Sequence, residues 1–444
     1  MLSQILKIRS TWIGLVAILF MSIGFNLAQI HKNPSTPFDE LAHFDYVDRM
    51  SHLDPPKVFD RYSQTTLRVA ACSQIKDAPA WIGLDKCGSS YYEPTKAPWG
   101  GLSSATGFLP TYYFLTAIPY RACTTLFSPK GGELTCMRAA NSLWLTASSV
   151  IFFLALISSR LHPIFATTFS IAPLLIPALL LQGITVNNDA ASLFFSILLI
   201  YWSWNFSQQK KTIRQQKFGP FIFFVIGVVA FSIKSTVLPA LVISTFLLTR
   251  KLRFNTIKKP RNTGAGYVLA AGVSILLNLL LLKLQPALRG VGGINDMEPV
   301  LQTNLAQSIQ ATWNSFYWSL NPFQNVPLPS LLNIFANFSG FILTLFVFIQ
   351  IANTQKERRT LEIGTRIYVV SLQTLLICTL FFYGPLQTAA NYIFLGSAFY
   401  QTRYFMSMFV SIALVLLIFR KGKLTLVLFG FFTITSALGA LMML

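Results

Sequence analysis

The stretch TPFDELAHFDYVDRM, residues 36–50, follows directly on an apolar run, residues 12–30, that is long enough to cross a bilayer. It holds Asp39, Glu40, His43, Asp45 and Asp48, in a 444-residue chain of which only 11% is charged. Acids at the mouth of a membrane span are costly unless they bind or react with something. The rest of the chain therefore reads as a membrane scaffold built around this acidic turn.

Working outward, 53% of residues are hydrophobic and 14% aromatic. A soluble protein would carry about a quarter of its residues as charges. Apolar runs of roughly 15 to 25 residues recur throughout, which predicts an all-α polytopic membrane protein. About eleven transmembrane helices are expected, at 11–30, 139–158, 164–184, 190–206, 219–233, 235–249, 265–283, 329–351, 367–383, 404–419 and 424–443. They make one membrane domain over residues 1–444. The first run resembles a signal peptide, with Lys7 and Arg9 before it. It is too long and lacks a small-residue cleavage site, so it is kept as a span.

The net charge of +20 fits a topology signal better than nucleic-acid binding. Of 35 Lys and Arg, 20 fall in the alternate segments 1–10, 159–163, 207–218, 250–264, 352–366 and 420–423, beside only Glu357 and Glu362. The positive-inside rule then puts the N-terminus in the cytoplasm and the acidic turn on the extracytoplasmic face of the cell membrane. Membrane lipids with anionic headgroups are the expected partners of these basic segments. Cys72, Cys87, Cys123 and Cys136 all lie in the first external region, and Cys378 in a span. Four cysteines on an oxidising side allow three pairings; loop length favours Cys72–Cys87 with Cys123–Cys136, and buried thiols are the alternative.

That first external loop, 31–138, is large enough to be functional. Pro37 can start a helix whose first turn holds Asp39 and Glu40, and Asp39, His43 and Tyr46 would share one face. Residues 51–100 suggest an irregular cap pinned by a disulfide. The segment 107–127, GFLPTYYFLTAIPYRACTTLF, has the hydropathy of a span. Counting it as one would move the basic segments 207–218 and 250–264 outside. It is therefore expected as an interfacial helix, with Tyr112, Tyr113 and Tyr120 at headgroup depth.

Further on, QGITVNNDAAS puts Asn187, Asn188 and Asp189 on the same outer face. They form either a second polar site or an exposed turn with Asp189 as a helix cap. Lys234 stands at the hinge FSIKST between two short spans. It either snorkels to a headgroup or contacts a lipid phosphate. A second external loop covers 284–328, with the aromatic cluster WNSFYWSLNPF, more often an interfacial belt than a sugar platform. Arg403 and Tyr404 stand at the outer mouth of the tenth span, where an arginine can snorkel or hold a phosphate bidentately. The chain has no Walker loop, GxGxxG, GxSxG or zinc-spaced cluster, and His31, His43, His52 and His162 are scattered. ATP-driven transport, dinucleotide chemistry and zinc hydrolysis lose support.

Taken in order, these motifs form a set: an acidic pair after the first span, L-P-x-Y-Y, an A-R start to the next span, N-N-D, K-[ST] and a late R-Y-[FL]. The set resembles the GT-C class of membrane glycosyltransferases. It is most similar to a little-characterised bacterial membrane-protein family in which P-x-D-E-x-x-H opens the first external loop. The resemblance implies a GT-C-like fold and an inverting glycosyltransferase. Its donor would be a polyprenyl-phosphate sugar, and its acceptor a cell-envelope glycan, lipid or protein. Asp39 matches the catalytic carboxylate, with Glu40 beside it. Lys234 and Arg403, followed by Tyr404, match groups at the lipid phosphate. His43, Asn188 and Asp189 match substrate-positioning residues. Some members use a divalent cation, Mg or Mn, and others do not. The chain departs from the pattern in reading GFLPTYY where H-P-P-L-Y-Y is usual, and in ending without a soluble C-terminal domain. A flippase for a lipid-linked glycan and a non-catalytic assembly subunit are the competing expectations. Spans nearly empty of charge argue against the transporter.

Overall fold

The computed structural model describes residues 9–32, 40–57, 60–72, 86–127, 132–175, 177–208, 213–254 and 261–284, together with Val410 and Leu414. Among these residues the protein is helical, and its only extended pairing is an isolated bridge between Arg61 and Leu102. Eleven α-helices follow in order. They are α1 (Arg9–Lys32), α2 (Glu40–Ser51), α3 (Gln64–Cys72), α4 (Thr111–Phe127), α5 (Glu133–Ser158), α6 (Pro163–Leu175), α7 (Pro177–Ile184), α8 (Asp189–Gln208), α9 (Ile213–Ile233), α10 (Leu238–Phe254) and α11 (Arg261–Leu284).

Three stretches are long and apolar enough to cross a membrane: Ser10–Ile30 in α1, Glu133–Ser158 in α5 and Asp189–Ser207 in α8. Shorter apolar helices cover Phe218–Ile233, Ser235–Thr249 and Ala265–Leu281. Each falls where the sequence predicts a span. Over the expected span 164–184 the described residues are helical, in α6 and α7. The last four expected spans lie outside the described residues. Val410 and Leu414, within the tenth of them, are helical and buried in the common core.

Helix α5 is the hub, packed by α1, α4, α6, α7 and α8, while α9 and α10 each pack on α8 and on α11. Outer faces of α1 and α11 remain apolar and exposed, including Phe20, Ile23, Val268 and Leu269. A lipid phase would cover such surfaces.

Above α2 sits the cap. Gln64 and Tyr92 exchange two hydrogen bonds, Gln64 Nε2 to Tyr92 O (2.9 Å) and Tyr92 N to Gln64 Oε1 (3.0 Å). Gly101, at φ +77°, gives its carbonyl to Tyr62 N (2.7 Å). A side chain there would both strain the backbone and strike the Pro94 carbonyl. Cys72–Cys87 and Cys123–Cys136 are disulfides, the pairing that loop length favours.

Tyr112, Tyr113 and Tyr120 of α4 face protein: they are buried against α2 and α5. Their hydroxyls find protein partners there, as buried phenols must. The outward face of α4 carries Phe114, Ile118, Leu126 and Phe127 instead.

Candidate functional site

The polar residues of interest gather at one end of the helix bundle, where α1 and α9 finish and α2, α4, α5, α8 and α10 begin. Glu40, the first residue of α2, is fully buried. Arg138, on the second turn of α5, meets it as a fork: Nε on Oε1 and Nη2 on Oε2, both at 2.8 Å. A third Arg138 donor, Nη1, reaches the Ile30 carbonyl near the end of α1 (3.2 Å). The Val186 backbone N–H donates to Glu40 Oε1 (3.2 Å). One carboxylate thus ties α2, α5 and the 185–188 turn together, and the guanidinium adds α1. A bidentate fork with satisfied lone pairs is the geometry in which a buried ion pair can offset its own desolvation.

Asn141 lies one turn further along α5. Its Nδ2 donates to the carbonyls of Gly183 (2.9 Å) and Thr185 (2.7 Å), and its Oδ1 accepts from Tyr112 (2.8 Å). A Cβ on Gly183 would come 2.6 Å from Leu145 Cδ2, so glycine permits this close approach of α7 to α5. Tyr112 stands between the two acids of the site. Burial pushes its phenol far above the usual range, and the Asp189 and Glu40 carboxylates push the same way.

The N-N-D turn is shaped by its own side chains. Asn187 Oδ1 accepts from Asp189 N (2.9 Å), a local turn bond that asparagine readily makes. Asn188 Nδ2 donates to the Ile233 carbonyl at the end of α9 (3.1 Å). Asp189 Oδ1 takes the Lys234 ammonium, with the lysine side chain 10% and the aspartate 2% exposed. The turn and the hinge, read separately from the sequence, are one cluster. Asp189 opens α8 without being solvated, and Lys234 points to a protein carboxylate.

His43 is buried on the next turn of α2, its Nδ1 2.9 Å from the Tyr113 hydroxyl. Its ring stacks on Tyr113 and lies near Phe108. Tyr46 stacks on the same Tyr113 ring, with its phenol pushed up to about 12 by burial. The expected shared face of His43 and Tyr46 is therefore present, directed at α4. The other face of α2 is separate: Asp45 accepts from Ser63 N and Thr66 Oγ1 (both 2.8 Å) and pairs with Arg49 (3.2 Å). Asp48 accepts from Tyr120 (2.8 Å).

Asp39, Arg403 and Tyr404 lie outside the described residues. Among the described ones, Glu40, Asn188, Asp189 and Lys234 come together and His43 sits beside them. Arg138, Asn141 and Tyr112 join them, and sequence reasoning gave these no role at the site. Their signal was a charge and an amide three residues apart at the start of an apolar span, where neither belongs without a partner. The described residues contain no group of three or more His, Cys, Asp and Glu that could hold a metal ion.

Comparisons with protein-family models, curated proteins and solved structures found no match.

Proposed function

We propose that the protein is a membrane glycosyltransferase of the GT-C kind. It would move a sugar from a polyprenyl-phosphate donor to a glycan, lipid or protein acceptor on the extracytoplasmic face. The observation that supports this most is convergence. The acidic helix start, the N-N-D turn and the lysine hinge, up to about 190 residues apart in sequence, form one buried polar cluster at a single end of apolar helices. The segments leaving the opposite ends, 209–212 and 255–260, carry Lys210, Lys211, Lys258 and Lys259. By the positive-inside rule that end is cytoplasmic, and the cluster faces out. The two disulfides near the cluster suit an oxidising side.

In this reaction Asp39 acts as general base on the acceptor hydroxyl. The acceptor oxygen attacks the anomeric carbon, the carbon–oxygen bond to phosphate breaks, and the lipid phosphate leaves with the electron pair. Configuration at that carbon inverts. Arg403 stabilises the charge growing on the departing phosphate. Glu40, held by Arg138 and Val186, positions the helix start that follows Asp39.

The test is transfer by the purified protein in nanodiscs, offered a panel of polyprenyl-phosphate sugars, with wild type beside Asp39→Asn. We expect transfer by the wild type, at least about a hundredfold loss in the variant, and unchanged donor binding. Equal turnover by both would remove Asp39 as the base. Donor binding with no turnover in the wild type would favour a flippase or an assembly subunit.

A further inference from the structure

Resting on that reading, we infer that Asn188, Asp189 and Lys234 hold the sugar ring of the donor through its hydroxyls, and that they are not the phosphate site. Charge comes first. Lys234 would be an anion site if its ammonium faced the ligand alone, but Asp189 already neutralises it at hydrogen-bond distance. An incoming phosphate would meet that buried carboxylate as well as the lysine, and the two nearly cancel. A neutral polyol does not face this conflict, because hydroxyls both donate and accept.

Asn188 supplies the second argument. Its side chain is 1% exposed, and its Nδ2 is committed to the Ile233 carbonyl. That bond fixes the amide's orientation and turns Oδ1 away as an acceptor. Oδ1 is buried, and among the described residues nothing donates to it. Buried polar atoms are nearly always paired, so an acceptor held in place by its own amide points to a donor that a ligand supplies. A phosphate diester offers no donor, whereas a sugar hydroxyl or an acetamido N–H does.

Access is the third. Residues around Asn188 are closed, but Thr185, Lys234 and Ser235 at the edge of the cluster are only partly buried, as is Thr111 at the start of α4. Thr111 is tied to this edge by Ser232 (2.8 Å), two residues before Lys234. Three hydroxyls and an ammonium therefore lie at the edge of the cluster that holds this buried acceptor. This is a polar, nearly uncharged lining of the kind that reads hydroxyl positions.

The experiment measures binding to the full-length protein in nanodiscs. One probe is farnesyl phosphate; the others are farnesyl phosphates esterified to a panel of hexoses, pentoses and 2-acetamido sugars. Wild type should bind at least one sugar ester about tenfold more tightly than farnesyl phosphate, the worth of roughly one good hydrogen bond. Asn188→Leu should abolish that preference and leave farnesyl phosphate affinity unchanged. Asn188→Asp also loses the Ile233 bond but keeps an acceptor, so it should retain the preference. Loss of the preference in both variants would assign Asn188 a structural role and overturn the inference. So would a Lys234→Met variant that loses farnesyl phosphate affinity, which would make Lys234 a phosphate ligand. A wild type that binds farnesyl phosphate without preferring any sugar also overturns it, while the lipid-phosphate reading survives. Failure to bind any of the probes would instead remove the donor class itself.

Discussion

Two buried ion pairs stand in the same cluster and differ in nearly everything but charge. Glu40–Arg138 is a closed unit, with two parallel hydrogen bonds in the fork and further bonds to Ile30 and Val186. Asp189–Lys234 joins through one carboxylate oxygen at a partly open edge, next to an asparagine acceptor to which no described residue donates. The difference contrasts an anchor with an edge. Where both carboxylate oxygens are bonded inside the core, a buried charge positions its neighbours; the acceptor left over beside Asp189 is what the proposed sugar contact uses.

Removing one partner from each pair is the sharpest way to break this contrast. Arg138→Ala strands Glu40 in the core and should cost about 3–5 kcal/mol of stability. Lys234→Ala should cost roughly 1–2 kcal/mol, because water can reach Asp189 from the open edge. Thermal unfolding in one detergent checks both, and equal losses would erase the distinction. The Arg138→Met, Glu40→Gln double variant should recover most of the loss, since it leaves no lone buried charge.

The second test acts on the clamp from a distance. The Cys123–Cys136 disulfide joins α4 to α5 two residues before Arg138, closing a separation of 13 residues. Replacing both cysteines by serine should cost about 3 kcal/mol by loop entropy. Arginine-to-glutamate contact should loosen with it, while the Asn188–Ile233 contact should not. Hydrogen exchange at Val186 and at Asp189 would separate the two, and equal acceleration at both would show one cooperative unit.

The smallest expected effect concerns Asp48, a third buried carboxylate. Among the described residues it accepts from Tyr120 and forms no ion pair. Burial is the main cause that raises its pKa above 3.8, with Asp45 and Glu133 adding to it, while Tyr120 and His52 oppose. The folded state therefore binds this proton more tightly than the unfolded one. The stabilisation is fully present below 3.8 and is lost as pH rises through the folded pKa. Asp48→Asn should melt higher than wild type at pH 7.5 and lose that advantage as the pH falls toward 4, in a pH series of melting curves. A difference independent of pH would show that Asp48 is solvated.

The described helices were legible because apolar runs and their charged borders follow from bilayer chemistry. Disulfide pairing was legible from loop length. What escaped depends on tertiary distance. Nothing local to Asp189 indicates a lysine 45 residues onward, and nothing in TYYF says which side its phenols face. Hydropathy counts a tyrosine as an interface anchor, whereas α4 buries three of them because α2 and α5 supply partners.

Arg138 also sets a clock. It lies 98 residues after the glutamate it clamps and 108 after the Ile30 carbonyl it caps. At roughly 5–20 residues per second of synthesis, α1 and the acidic helix wait about 5–20 s for their guanidinium. Through that interval Glu40 has no partner to follow into the protein interior and must stay hydrated. The acidic segment emerges well before α5 and is sealed only once α5 arrives, so its burial signals that α5 has been delivered in the right orientation.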